Sequence, residues 1–176
     1  VLSLLVFLFR SMRPTVVDLS LGVDQALHDA VANGLAECRF IDAVRFDGPL
    51  FFANASYLED QIRRRRRRKK ELKHIIIAAA GINDMDASGQ EVLALIVERV
   101  RSAGIDLSLA GVNRAVMQVL ERTHLLAKIG ADHIYPNMEQ AITAIHAQTH
   151  RDGSESACPL RTVCAKEGET VDYPSS

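Results

Sequence analysis

The chain has 176 residues, 48% of them apolar, and a mean hydropathy of +0.03, which suits one ordinary soluble domain with tails. Its formal charge of -1 is unevenly spread: eight of 21 basic residues fill the run from Arg63 to Lys70, so the remainder, holding all 22 acidic residues, is acidic. Three cysteines, Cys38, Cys158 and Cys164, make no dense framework, which excludes a small disulfide scaffold and reads as free thiols in a reducing compartment.

The first nine residues, VLSLLVFLF, are almost wholly apolar and are followed at once by Arg10 and Arg13. Such a stretch rises only about 14 Å as a helix and does not span a bilayer. Positive charge after the apolar run, rather than before it, is the arrangement of a helix leaving the membrane into the cytoplasm. Residues 1–13 are therefore expected to end a transmembrane helix, and 14–37 to be a connector in which LHDAVANGL (27–35) forms a short helix closed by Gly34.

Two runs rich in β-formers, CRFIDAVRF (38–46) and PLFF (49–52), flank Asp47-Gly48 and predict an antiparallel hairpin. Ser56 with Glu59 predicts a capping box for a helix bearing Leu58 and Ile62 on one face. Asn54-Ala55-Ser56 also fits a glycosylation acceptor, which a cytosolic domain never presents to that machinery. HIIIAAA (74–80) is suited to a strand buried on both faces. Ser88 with Glu91 predicts a second capping box, with Leu93, Ile96, Val97 and Val100 recurring at helical spacing until Gly104.

The strand, turn and helix pattern then repeats. Residues 105–110 read as a strand and Gly111 as a turn, before a helix with Val112, Val116, Val119 and Leu120 on its apolar side. A short last strand is expected at 131–135, then a helix capped by Asn137 and Gln140 with Ala141, Ile142 and Ile145 inward. The alternation implies an α/β fold whose central sheet, of four to five strands, is mixed but mostly parallel, with helices around it. From 149 onward Ser, Gly, Pro and charges predict a disordered tail, leaving 38–148 as the folded domain.

GINDMDASGQEVL (81–93) resembles the signature turn of STAS domains, the fold of bacterial anti-sigma factor antagonists and of the C-terminal regions of SulP (sulfate permease family) anion transporters. RFDGPLFFANASYLE (45–59), AGIDLSLAGV (103–112) and LERTHLLAKIG (120–130) match in the same order, and FRSMRP (9–14) resembles the exit from the last membrane helix of those carriers. The resemblance implies a regulatory and interaction domain, not an enzyme, on the cytoplasmic face of a membrane that holds a secondary transporter of an inorganic anion such as sulfate or bicarbonate. Its implied partners are the transmembrane domain of the same transporter and a twin copy in a homodimer. In the antagonists the serine before the turn glycine accepts phosphate, which carries over to Ser88, with Asp86 and Gly89 completing the turn. Ala87 stands where antagonists commonly have serine, which favours the transporter branch over a free-standing, phosphate-switched signalling protein.

The remaining constellations are weaker. Arg63, Arg64, Arg65, Arg66, Arg67, Arg68, Lys69 and Lys70 are a candidate contact for anionic lipid headgroups or an acidic partner, or a solvated helix end. No aromatic platform is interleaved with them, so no nucleic acid is expected. His146 and His150 stand one helical turn apart ahead of Cys158 and Cys164, but the spacing is irregular, and no metal site is assigned. No Ser/His/Asp or Cys/His set suggests catalysis and no P-loop is present, so no cofactor is expected; the turn at Asp86–Gly89 is left as a weak anion or nucleotide acceptor.

Overall fold

The computed structural model describes residues 15–21, 27–30, 32–151 and 158–161, together with Leu2, Ser3 and Val6. The sheet is organised around β4 (His74–Ala78), whose five residues are all buried. Side chains alternate across a strand, so Ile75 and Ile77 enter one apolar cluster and Ile76 enters another on the opposite face. Both faces are covered, which is why this strand reads as an unbroken apolar run rather than an alternating one.

β3 (Ile41–Asp47) and β5 (Asp106–Ala110) flank β4 in parallel, with Val44 opposite Ile77 and Ile77 opposite Leu109. β6 is only Ile134–Tyr135, preceded by a 3-10 turn at Ala131–His133, so the strand expected over 131–135 is shorter than its sequence suggests. Two strands not foreseen complete the other edge: β1 (Thr15–Leu21) and β2 (Leu27–Asp29). Among the described residues the order is β2-β1-β3-β4-β5-β6, six strands instead of four to five, parallel from β3 to β6 and antiparallel from β2 to β3.

The antiparallel pair predicted between 38–46 and 49–52 does not form. β3 pairs instead with β1, with Val16 opposite Phe46 and Asp18 opposite Val44. After Asp47 the chain crosses to the next turn: the Gly48 N–H donates to Gly81 O at 2.9 Å, Pro49 has no N–H to give, and Leu50 makes a single parallel bridge to Met85. The segment read as a connector thus supplies sheet, and the helix expected at 27–35 is a strand followed by a turn in which Gly34 has φ +59°.

Helices α1 (Phe52–Arg68), α2 (Ala87–Ser102), α3 (Arg114–Arg122) and α4 (Leu125–Ile129) cover one face. Leu93, Ile96, Val97 and Val100 of α2 are each 1% exposed, burial that stabilises by roughly 1.5–3 kcal/mol per side chain. α1 starts earlier than Ser56 suggests: Phe51 is the N-cap, and Asn54 accepts from the Phe51 N–H at 3.0 Å and donates to Pro49 O at 2.7 Å. Ser56 is exposed in the second turn, and Asn54, 1% exposed, is a capping residue inside the fold rather than a glycosylation acceptor.

The opposite face is covered by α5 (Met138–Thr149), capped as expected by Asn137, whose side chain accepts from the Gln140 N–H at 2.9 Å. Ala141, Ile142 and Ile145 are fully buried against Phe40, Ile41 and Ile76. Cys158 and Leu160 belong to the same cluster, at 5% and 2% exposure, so this part of the segment expected to be a disordered tail is packed onto the sheet. Residues 152–157 and 162–176 lie outside the described residues. So does the apolar N-terminal stretch, apart from Leu2, Ser3 and Val6, which are helical and exposed. Among the described residues no helix is long and apolar enough to cross a membrane.

Candidate functional site

The parallel strands point their C-terminal ends at the loop between β4 and α2, which ends at Asp86, and at the first turn of α2, which carries Ser88 and Gly89. The cap of α2 is Asp86, not Ser88: its Oδ1 accepts from the Gly89 N–H at 2.7 Å, one of the helix donors left without an intrahelical partner. Ser88 lies two residues later, half-buried in the first turn, and Asp86 is exposed. A phosphate on Ser88 would therefore join the positive end of α2 without displacing the cap.

Gly89 is buried because the backbone of Leu50 lies against it. A Cβ at Gly89 would sit 2.3 Å from Leu50 O and 2.9 Å from Leu50 C. Close backbone approach is thus the reason for glycine here. The same crossing is fixed by Leu50 N–H to Asp84 O at 2.8 Å and Asp86 N–H to Leu50 O at 3.1 Å. Asn113, the cap of α3, donates to Ile82 O at 2.6 Å, so the loops after β3, β4 and β5 are tied into one rigid surface.

The basic run divides into two sets. Arg65, 6% exposed, pairs with Asp18 of β1 at 2.5 Å and lies 3.5 Å from Asp42 of β3. Lys69 holds Asp42 at 2.7 Å and Glu37 at 2.8 Å; burial opposes its charge, but these two carboxylates outweigh it and raise its pKa. Arg68 reaches Asp18 and Glu37, and Arg63 pairs with Asp60. Arg65, Arg68 and Lys69 thus tie the end of α1 to the sheet and to Glu37, whereas the Arg63 pair is exposed and stays within α1. Arg64, Arg66, Arg67 and Lys70 form no ion pair among the described residues; three of them, Arg66, Arg67 and Lys70, line an open hollow with Leu72, Ala103 and Ile105.

A second polar group occupies the opposite end of the strands. Buried His74 meets Ser108 Oγ at 2.9 Å and stacks on His133, whose Nε2 is 2.6 Å from Asp106, itself held by Arg101 at 2.9 Å. Burial drives His74 down to about 4, against the pull of Asp106. Between the unfolded imidazole's 6.5 and this value the unfolded chain binds more protons, so stability is complete above pH 6.5 and is lost as the pH falls toward 4. Urea unfolding of wild type and His74→Gln at pH 7.5 and 4.5 checks this: the variant loses less stability between the two, and equal losses exclude His74 as the source.

The sheet thus carries α1, α2, α3 and α4 on one face and α5 on the other, with a capped D-x-S-G turn at the ends of its parallel strands. The family model described as STAS domain matches residues 39–141, and the chain belongs to that family. It is 26% identical over 125 residues to sulfate transporter 3.2 of Arabidopsis thaliana, covering 66% of this chain and 19% of the relative. High affinity sulfate transporter 2 of Stylosanthes hamata is 23% identical over 115 residues, covering 60% and 17%. The chain thus spans about a fifth of the length of these relatives. Among solved structures, the murine Slc26a9 anion transporter in its inward-facing state superposes with a TM-score of 0.72 at 17% identity, over 82% of this chain and 24% of that one. The SulP transporter STAS domain from Vibrio cholerae superposes at 0.57 and 22% identity, over 69% and 93%.

Of the residues singled out from sequence, Asp86 and Gly89 meet through the cap, Ser88 stands beside them, and the basic run lies at the other end of the sheet. Sequence reasoning missed Asp18 and Asp42, the buried partners of that run.

Proposed function

We propose that this chain is the regulatory and interaction domain of an inorganic-anion transporter of the sulfate permease class, placed on the cytoplasmic side of its membrane domain. The observation that carries this is that its matched relatives are sulfate transporters in which the shared region is under a fifth of the length, an appended module rather than the body that moves the ion. The turn surface supports it. Asp86 is engaged in capping α2 and Gly89 in packing on Leu50, so the residues of the motif hold a docking surface in shape.

In this reading the membrane domain of the same protein and a twin copy are the partners, and the four cations left outside the ion-pair network face anionic lipid headgroups. Membrane and soluble fractions of the source cells, blotted with an antibody to residues 40–146, test the reading. We expect a band several times larger than 19.4 kDa, released only by detergent. A soluble band of about the chain's own mass overturns it in favour of a free-standing signalling protein.

A further inference from the structure

We propose that Cys38, His150 and Cys158 form a binding site for one zinc-class divalent metal ion, with two thiolates and one imidazole as ligands. The three ligand atoms lie within 4.8 Å of one another, and Cys38 Sγ is 3.5 Å from His150 Nε2. With Zn–S near 2.3 Å and Zn–N near 2.05 Å, a tetrahedral ion sets its sulfur and nitrogen ligands about 3.6 Å apart, the spacing already present. Both cysteines are nearly inaccessible, at 3% and 5% exposure, and two thiolates cancel a divalent charge, so the buried site is neutral when filled.

The surrounding contacts orient the ligands as metal sites require. Thr149 Oγ1 donates to Ile145 O at 2.9 Å, which leaves it to accept from His150 Nδ1–H, also at 2.9 Å. That fixes the tautomer with the Nε2 lone pair toward Cys38. The imidazole is held further by edge contact with Phe40, centroids 5.2 Å apart, and by stacking on His146 at 3.9 Å. The Ile41 N–H points at Cys38 Sγ at 3.3 Å, a donor suited to a thiolate. Cys38 and Cys158 are close enough to hydrogen-bond, so their sulfurs converge on one point. Cys38 precedes β3, His150 ends α5 and Cys158 follows it, so the ion would fasten the C-terminal segment to the chain entering β3, an interior strand.

Cobalt(II) titration of the full chain, kept reduced, tests the site. We expect visible d–d bands and a thiolate-to-cobalt charge-transfer band that saturate at about one ion per chain, release two protons per ion and vanish on adding zinc. Cys38→Ser, Cys158→Ser and His150→Ala each weaken binding by at least about tenfold, with far-ultraviolet circular dichroism confirming the fold. Wild type with no saturable thiolate band overturns the proposal whatever the variants do. A site lost in Cys164→Ser and kept in Cys38→Ser also overturns it, as does a Cys38–Cys158 disulfide in protein whose thiols are alkylated at lysis.

Discussion

Arg65→Ala lowers the free energy of unfolding by about 3 kcal/mol, the lower part of the range for breaking a buried ion pair. Arg65 is 7% exposed at its side chain and faces Asp18 and Asp42, at 9% and 2%. Its removal leaves Asp18 with Arg68 alone and Asp42 with Lys69 alone, which keeps the loss from reaching the upper part of that range. The double variant Asp18→Asn/Arg65→Met recovers much of it, because the carboxylate that lost its partner is gone as well. Urea unfolding measures both. Arg64, Arg67 and Lys70 behave oppositely: changed together to Gln they leave stability within about 0.5 kcal/mol and weaken sedimentation with phosphatidylserine vesicles at low salt. A large stability loss from that triple change, or an intact Arg65→Ala, would falsify the division of the run into two sets.

Gly89→Ala is the second large effect, expected to cost about 1–3 kcal/mol and to lower Tm by roughly 2–12 °C. The added carbon meets the carbonyl of Leu50, a backbone atom held by hydrogen bonds to Asp84 and Asp86, so no rotamer change relieves the contact. Either the start of α2 or the Leu50 crossing must move, and the Asp86 cap moves with it. Thermal unfolding decides the matter. A Tm unchanged within 1–2 °C would mean that the two segments are not held together as described.

The centre of the fold is legible in the sequence because HIIIA is too apolar for a half-exposed strand, and α2 repeats its apolar residues at helical spacing. β1 is not legible. Two of its buried positions are Asp18 and Ser20, satisfied by Arg65 and by Ala36 O, partners that sequence does not reveal. The Asp47-Gly48 pair misleads for a related reason: the chain does bend at Gly48, but contacts with Gly81 and Met85 send it onward instead of back. The cap of α2 is displaced by two residues because Asp86 and Ser88 are both good caps. The choice rests on Gly89, which must stand at the third helical position for Leu50 to pack there. Cys38 and His150 are 112 residues apart, and no spacing rule brings them together.

The network joining Asp18, Arg65 and Asp42 has a mechanical side. β1 is the strand that receives the N-terminal segment, and it is fastened laterally by five backbone pairs to β3 and crosswise by Arg65 and Arg68 to α1. A push or pull at Thr15 is therefore not absorbed as it would be by a flexible tether; it turns the sheet and the basic end of α1 as one stiff piece. In a transporter whose membrane body shifts during its cycle, such a joint behaves as a lever arm. Thr15 stands opposite Asp47, at the same end of the sheet as the signature turn, so that turn moves with the base; the basic end of α1, at the opposite end of the strands, swings through the larger arc, as the tip of a lever does.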